Sequence, residues 1–492
     1  MGAMGATSVP CSSSSSIGTR KAEATVRNSC PIPTGRESQM KNSAKTLKDS
    51  RAARWTMMII ASLLIFATYW FYDVFSPLKD LMMTDLGIDS GTFGIVISAT
   101  TWANCLGMIL VGGMILDKWG IRVSSVLFGS LVTLGAALTT LGASDLVTTD
   151  STERILLMAG GRILFGIGTE IVGVIVTCIV VKWFKGYELA LAMAISTGFG
   201  RLGSYFAVSF SLDIAGSRVM PVLGAATALI AVAFLFTLVY LVFDKMLDQQ
   251  VLQSGDFEDE KFHISDFLKL IRNPPFLWIT ALCVMYYSAV FPFIGAYGPS
   301  ILHDKFGFSL TMPESSGNLT LWEWIRAYVT NGPRIAGLIP LASLIFTPIF
   351  GAFVDRKGRA ASMMFLGSVL LIFAHVSLTF FNVNALAYVA LICLGIAFSL
   401  VPAAMWPSVA KIVPESRLGT AYAAMFTVQN WGLALFYWLP GQILETTGSN
   451  YTIAFSPFVI LGFVSIACAV QLRRSDRKYG CGLELPSGDC PG

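Results

Sequence analysis

Two copies of one short pattern, GGMILDKWGIR at residues 112–122 and FGAFVDRKGRA at residues 350–360, decide the fold of this chain. In each copy a glycine is followed four residues later by an aspartate, then by a basic residue, and shortly afterwards by a second glycine. The separation between the copies is the same at every one of these positions. Such an internal repeat predicts two halves with the same architecture. The pattern consists of Gly113, Asp117, Lys118, Gly120 and Arg122 in the first copy and of Gly351, Asp355, Arg356 and Gly358 in the second.

The composition predicts a membrane protein. Of the 492 residues, 54% are hydrophobic and only 13% are charged, and the mean hydropathy is +0.66, whereas an ordinary soluble domain contains about 25% charged residues. Crossing a bilayer takes about 20 apolar residues, and twelve such segments can be read from the sequence. They cover residues 55–75, 92–113, 123–142, 155–181, 189–212, 219–243, 276–300, 335–353, 361–381, 385–408, 418–439 and 453–471.

The spans divide the chain into predicted regions. We expect an all-α membrane protein with six spans in residues 55–243, six in residues 274–472, and a polar cytoplasmic linker at residues 244–273. Residues 1–54 lack an apolar core and are predicted to form a disordered cytoplasmic tail, with a second cytoplasmic tail at residues 473–492. Most of the 34 lysines and arginines lie on the side of the two termini, which favours cytoplasmic termini. This bias also explains the net charge of +4, which therefore indicates no nucleic-acid partner.

The repeated pattern resembles the signature of the major facilitator superfamily, in which each copy follows the second helix of a six-helix half. The resemblance covers residues 55–472 and implies twelve transmembrane helices in two pseudo-symmetric halves that work by alternating access. It also implies that the pattern forms a gate, in which the glycines allow close helix approach and the acid and bases form a network that breaks when the halves rock. The alternative is that these charges only follow the positive-inside rule.

Two opposite charges are predicted at one depth of the bilayer. Glu170, in FGIGTEIVGV, and Arg201 lie equally far from the turn at residues 183–188 that joins the fourth and fifth spans. At about 1.5 Å per residue, each is roughly 23 Å along its helix. A charge there costs at least about 2.5–3.5 kcal/mol, so a binding site or pathway is the default explanation. Either the two side chains neutralise each other and stiffen the helix pair, or they face a wet cavity and bind a zwitterion, pairing with each other when the site is empty.

Two further charged residues lie in or near the spans of the first half. Arg162, in GGRILFGIG, resembles the superfamily's arginine signature in the fourth helix, and a gating or packing role is as consistent with it as a ligand contact. Asp73, in YWFYD, ends the first span near the outer interface. The sequence allows two roles for this residue: it contacts the substrate, or it is a solvated residue at a helix end.

The second half has no charged residue well inside a span. It offers aromatic and amide side chains, which could hold peptide side chains of variable identity, although core packing or interface anchoring is an equal alternative for each aromatic residue alone. The amides are more informative because buried amides need partners. These candidates are Tyr286, Tyr287, Trp406, Gln429 and Asn430.

Longer stretches resemble a narrower family. GRILFGIGTE, WFKGYELAL, GRLGS, YYSAVFPFIG, KFGFS, MWPSVAKIVPESRLGTAY and VQNWGLA are similar to the major facilitator domain-containing lysosomal dipeptide transporters. The resemblance implies facilitated dipeptide transport with an acid in helix 4 and an arginine in helix 5 at the site, which are Glu170 and Arg201 here. The N-terminal tail contains no acidic dileucine sorting signal, and the loop at residues 311–332 is expanded relative to the family. A cell membrane is therefore as consistent with the sequence as a lysosomal one, and no feature supports an accessory glycoprotein.

The sequence thus predicts a transporter for dipeptides or other short zwitterionic peptides, without cofactor or metal. Proton-coupled peptide transporters of the superfamily carry an E-x-x-E-R motif in helix 1 and charges in the second half, and neither is present, which favours uniport. The alternatives are an organic-anion or drug carrier of the same superfamily and, from another class, a ligand sensor or receptor on a transporter scaffold. An enzyme is not expected, because the loops contain no nucleophile–base or metal constellation.

Overall fold

The computed structural model describes residues 46–147, 150–184, 187–251, 270, 272–313, 319–414 and 417–486. The predicted disordered segment up to residue 45 and the central part of the linker lie outside these ranges. The first half contains α1 (Arg51–Asp73), α2 (Phe75–Asp85), α3 (Ser90–Cys105), α4 (Met108–Gly142), α5 (Ser151–Phe184), α6 (Leu189–Ala215) and α7 (Val219–Val251). The second contains α8 (Pro274–Pro292), a π-helical turn (Phe293–Tyr297), α9 (Gly298–Phe306), α10 (Leu321–Val329), α11 (Gly332–Lys357), α12 (Ala360–Phe380), α13 (Asn384–Ile412), α14 (Leu418–Thr446) and α15 (Tyr451–Tyr479).

All twelve predicted spans coincide with helices. Within the described residues, nine helical stretches are long and apolar enough to cross a membrane. The remaining three predicted spans fall on α3 with the start of α4, on α6 and on α14. Three boundaries differ clearly from the prediction. The first span continues from α1 into α2, and the second is interrupted between α3 and α4, where Gly107 adopts a φ of 83°. The α7 helix continues to Val251, inside the segment predicted as a linker.

The two copies of the repeated pattern have the same backbone geometry. Gly120 interrupts α4 with φ 73° and ψ 174°, and Gly358 ends α11 with φ 69° and ψ −138°. Residues with a side chain rarely adopt this region, so both positions favour glycine. The matching turns explain why glycine recurs at these two places in the sequence.

The two halves meet along pairs of helices at which small residues allow close contact. The α3 helix packs against α14, α6 against α11, and α2 against α9. A methyl group on Gly441 would lie 2.4 Å from the carbonyl oxygen of Ser90, and one on Gly337 would lie 2.0 Å from Ser209 Oγ. Such contacts are typical of helix pairs in membranes, where close packing replaces the hydrophobic effect as the source of association.

The halves are held together at the end of the bundle away from the chain termini, which we call the distal end. There Arg334 forms an ion pair with Asp213 across the seam, and Ser300 Oγ donates a hydrogen bond to Asp80 Oδ2 at 3.0 Å. At the opposite, terminal end, methyl groups added to Gly113 and Gly351 would meet no atom within 4 Å. The close approach predicted for these two glycines is therefore not made in this conformation. The bundle is closed at its distal end.

Candidate functional site

Glu170 lies on α5 and Arg201 on α6, and one short connection joins the two helices. The α5 helix ends at Phe184 and α6 begins at Leu189, so the two residues are at a similar height above this connection. Both act electrostatically on the hydroxyl group of Tyr69, which lies near each of them on α1. Both keep part of their surface accessible although they are inside the bundle. They therefore line an interior space rather than a sealed core.

Each of these charges contacts a neutral group of the other half. The side-chain amide of Asn430, on α14, hydrogen-bonds to the Glu170 carboxylate. The guanidinium carbon of Arg201 lies 4.4 Å from the ring centre of Phe398, on α13, a distance at which the cation is attracted to the ring face. Among the described residues, no ion pair joins Arg201 to Glu170 or to another carboxylate. The direct pairing expected for an empty site is not seen.

Aromatic side chains of the second half form a continuous wall. Trp406 Nε1 donates a 2.9 Å hydrogen bond to the hydroxyl oxygen of Tyr287. Tyr287 stacks on Phe291 with ring centres 5.1 Å apart, and Trp406 stacks on Phe426 at 4.8 Å. Tyr286 is fully buried beside Tyr287, and its hydroxyl has no hydrogen-bond partner in the described structure. Tyr287 and Trp406 therefore belong to the wall, and the ring of Tyr286 meets that of Tyr287 edge-on at 5.7 Å.

The two predicted amides have different surroundings. Asn430 faces Glu170, and its Nδ2 also donates to the carbonyl oxygen of Phe426 at 2.9 Å. Gln429 is turned towards α8, where its Oε1 accepts a 3.4 Å hydrogen bond from Cys283 Sγ. The structure therefore brings Asn430 into the site and places Gln429 in the packing between α14 and α8.

Of the two roles left open for Asp73, the structure contradicts the solvated helix end. Its side chain is only 4% exposed, because the chain continues directly into α2 instead of leaving the membrane. Ser204 of α6 hydrogen-bonds to the carboxylate, and a methyl group on Gly295 would lie 3.0 Å from Asp73 Oδ1. Asp73 is thus a buried group at the contact between the halves and not a solvated helix end.

Arg162 is enclosed by aromatic rings of the first half. Its guanidinium carbon lies 4.4 Å from the ring centre of Phe75 and 5.7 Å from those of Phe165 and Tyr72. Its Nε and Nη1 have no hydrogen-bond partner in the described part of the chain. Arg162 precedes Glu170 by about two turns on α5, so it lies nearer the distal end than Glu170 does.

The first copy of the repeated pattern takes part in a charge network at the terminal end. Arg122 pairs with Asp248 at 3.0 Å and with Asp244 at 3.7 Å. Lys182, at the end of α5, pairs with the same two carboxylates at 2.7 and 2.6 Å. Asp117 and Lys118 are exposed beside this network. The two carboxylates on α7 were not among the predicted gating residues, because the sequence placed them in a linker.

The second copy of the pattern is covered by the C-terminal segment. The backbone N–H of Arg359 donates to the carbonyl oxygen of Glu484 at 3.1 Å, and that of Ala360 donates to Leu483 at 2.9 Å. A methyl group on Gly358 would lie 2.4 Å from the Glu484 carbonyl oxygen. Asp355 and Arg356 remain exposed on the neighbouring turn. Part of the predicted cytoplasmic tail is therefore packed against this loop.

Sequence reasoning missed three side chains of the site. Tyr69 and Tyr72 are half-exposed on α1, and Tyr72 hydrogen-bonds across the seam to Tyr437. Their spacing of three residues puts them on one helix face, which was the available signal. Phe398 lies in a uniformly apolar helix and gave no signal of its own.

The comparisons with known proteins agree with this architecture. The model of the Major Facilitator Superfamily matches residues 60–436 and 334–479. The lysosomal dipeptide transporter MFSD1 of Danio rerio is 30% identical over 447 residues, covering 88% of this chain and 89% of that protein. The protein of the same name from Homo sapiens is 28% identical, covering 88% of each chain.

Solved structures show the same fold at lower identity. The nucleoside transporter NupG superposes with a TM-score of 0.62 at 17% identity, covering 85% of this chain and 98% of that one. The inward open conformation of the xylose transporter XylE from E. coli gives a TM-score of 0.63 at 11% identity, covering 89% and 98%. The chain therefore belongs to the major facilitator superfamily. It is a multi-pass membrane transporter, not an enzyme, and it resembles proteins named as lysosomal dipeptide transporters.

Proposed function

We propose that this protein moves dipeptides or other short zwitterionic peptides across a membrane by alternating access, as a uniporter. The observation that carries the proposal is the arrangement of Glu170 and Arg201. They are an acid and a base at a similar height, both near Tyr69, and among the described residues they are not paired with each other. An interior acid and base left apart suit a ligand that has an ammonium group at one end and a carboxylate at the other.

The chemistry of the two ends assigns the ligand's orientation. The planar guanidinium of Arg201 matches a carboxylate through two parallel hydrogen bonds. The carboxylate of Glu170 accepts from an ammonium group, and the Asn430 amide holds it in place. The wall formed by Tyr287 and Trp406 offers ring faces, which accommodate many side chains without demanding one. Substrate recognition is therefore expected to depend on the peptide ends more than on the side chains.

The relatives support the substrate class, since those about 30% identical over most of this chain are named as lysosomal dipeptide transporters. We place both termini in the cytoplasm, with residues 55–243 and 274–472 as the moving halves and residues 244–273 as their linker. With that orientation the distal end faces the lysosomal lumen or the cell exterior. The membrane is lysosomal or the cell membrane, and an accessory glycoprotein is possible but has no support in the sequence.

The organic-anion alternative is disfavoured by Glu170, because a second carboxylate would face the ligand. The sensor alternative predicts binding without movement across the membrane. Proton coupling is disfavoured because the sequence lacks the E-x-x-E-R motif in helix 1 and charged residues well inside the spans of the second half. Each alternative therefore differs from the proposal in one measurable property.

The first test is a thermal-shift screen of the purified full-length protein with dipeptides, single amino acids, sugars and organic anions. Ligand that binds only the native state raises its stability by RT ln(1 + [L]/Kd). Glu170→Gln and Arg201→Ala should each weaken dipeptide affinity by about 10- to 150-fold, since a hydrogen bond to a charged group contributes about 1.5–3 kcal/mol. Glu445→Gln and Arg474→Ala, which make the same changes at exposed positions, should respond like the wild type.

A second measurement distinguishes transport from sensing. Dipeptide flux into proteoliposomes should occur without a proton gradient and should carry no protons. Binding without flux would support the sensor, and proton movement with the peptide would contradict uniport. A dipeptide shift of equal size in both site variants would overturn the assignment of Glu170 and Arg201.

A further inference from the structure

The expanded loop before α11 contains a helix whose apolar face is uncovered. In α10, Leu321 is 75% exposed and Trp322 is 73% exposed, and no residue of the helix is buried. Trp324, Ile325 and Val329 are also exposed. Large apolar side chains gathered at one surface indicate a contact that the isolated chain does not provide.

The helix is amphipathic, and a capping box stabilises its first turn. At 100° per residue, its apolar side chains occupy one continuous arc, and Glu323 and Arg326 lie on the opposite arc. Thr320 and Glu323 form a capping box: Thr320 Oγ1 accepts from the backbone N–H of Glu323, and Glu323 accepts from that of Thr320 at 2.9 Å. The element is therefore a defined helix with one wet and one apolar side.

The surrounding contacts hold α10 level with the ends of the membrane spans. The hydroxyl of Tyr388, in the first turns of α13, donates a 2.6 Å hydrogen bond to the carbonyl oxygen of Val329. Just after α10, Asn331 caps the first turn of α11 by accepting from the N–H of Arg334. The neighbouring span continues with exposed apolar residues, Val389 and Ile392, that face away from the bundle. The neighbouring transmembrane helix therefore also presents apolar side chains outside the bundle, and α10 is attached to its first turns.

We infer that α10 lies in the bilayer interface at the distal end, with its apolar arc in the boundary between headgroups and acyl chains. Tryptophan and leucine on one face with charges on the other are the composition of helices that lie in a membrane surface. Arg326 and Glu323 then face the headgroups and water. The partner of this surface is the lipid itself.

The inference gives α10 a place in the transport cycle. Tyr328 lies in the apolar arc, and its hydroxyl is 3.4 Å from that of Tyr205 on α6, in the other half. Its ring is also 5.9 Å from the guanidinium carbon of Arg334. The helix therefore covers the seam between α6 and α11 from the distal side. When the distal end opens, Tyr328 separates from Tyr205. The α10 helix stays with the second half, to which Tyr388 connects it.

The test uses the full-length protein in proteoliposomes with single cysteines for a membrane-impermeant, environment-sensitive fluorophore. Leu321→Cys reports on the apolar arc, and Arg326→Cys reports on the polar arc of the same helix; both positions are exposed, so neither substitution disturbs packing. Wild-type protein labelled in parallel gives the background from native cysteines. The quenchers are nitroxides attached at shallow and deep positions of the lipid chains, and aqueous iodide.

The label at residue 321 should be quenched by the shallow nitroxide and protected from iodide, with the opposite pattern at residue 326. Equal iodide quenching at the two positions would place α10 in water and overturn the inference. Protection of residue 321 from both quenchers would also overturn it, because the face would then be covered by protein. Trp322→Gln combined with Trp324→Gln should weaken nitroxide quenching at residue 321 at least twofold if these side chains hold the helix in the interface.

Discussion

The ion pair between Asp213 and Arg334 provides the sharpest test of the closed distal end. Asp213 is near the end of α6, and Arg334 is in the first turn of α11, so the pair crosses the seam. The Arg334 side chain is 10% exposed and also lies 4.0 Å from the ring centre of Phe210. Asp213→Asn removes the negative charge at nearly constant volume. The variant should favour opening of the distal end.

The size of the effect follows from burial. A hydrogen bond to a charged group contributes about 1.5–3 kcal/mol, and because the Asp213 side chain is 40% exposed, water screens part of this. About 1–2 kcal/mol remains, which corresponds to a roughly 5- to 30-fold increase in the ratio of distal-open to distal-closed molecules. The change acts only on this ratio, because the partners separate when the halves move apart.

The distance between spin labels at Thr152, in the first turn of α5, and at Asn382, between α12 and α13, reports this ratio. Both positions are exposed at the distal end, one in each half. The longer distance should gain population in Asp213→Asn. Asp145→Asn is the matched control, because its partners Arg154 and Arg218 lie in the same half. An unchanged distribution in Asp213→Asn, or the same shift in Asp145→Asn, would refute the reasoning.

Three further predictions concern the terminal end. Gly113→Leu should fold with a melting temperature like that of the wild type, because its position is open in this conformation, but it should block transport by preventing helix approach at that end; normal flux would contradict this. Gly120→Ala should lose about 1–2 kcal/mol of stability, because alanine disfavours the positive φ at this position. Gly358→Ala should lose roughly 1–3 kcal/mol more than that, because its added methyl group also meets a backbone oxygen. Equal losses on thermal unfolding would show that the contact between residue 358 and the C-terminal segment contributes nothing. The hydrogen bond from Tyr187 lowers the pKa of Asp49 below its usual 3.8, so the stabilisation of this contact is present above about pH 4 and is lost as the pH falls through the lowered pKa. The amide protection factors at residues 47–50, which are corrected for the pH dependence of intrinsic exchange, should therefore fall on acidification, and Tyr187→Phe should reduce that fall.

The architecture was predictable because it depends on local properties of the chain. Apolar length specifies the spans, and the turns at Gly120 and Gly358 need residues that tolerate a positive φ, so the repeat is written into the sequence. The continuation of the first span was not predictable. It depends on Asp73 being accepted inside the bundle by Ser204, which is far away in the chain. A carboxylate after an apolar run otherwise indicates a helix end in water.

In the candidate site, too, properties local to the chain could be predicted and contacts between distant segments could not. The shared height of Glu170 and Arg201 could be measured from a single turn, because both helices rise from it. Their neutral partners could not be identified, since contacts between the halves depend on the packing of α13 and α14. Gln429 and Asn430 illustrate this limit: neighbouring residues in a helix point about 100° apart, so only one of them can face the site. Periodicity alone does not say which one, and the structure selects Asn430.

The distribution of charge over the two halves suggests how a ligand would drive the cycle. Both charges belong to the first half, whereas the aromatic wall and the amide belong to the second. If Glu170 and Arg201 hold the ends of a peptide as proposed, those bonds lie within the first half and persist while the halves move, so by themselves they do not favour one conformation. A ligand shifts an equilibrium only through differential affinity for its states. The contacts that change are those between the peptide's side chains and the aromatic wall around Trp406. Burial of these side chains therefore drives closure of the site, whereas the charged ends of the peptide keep it bound.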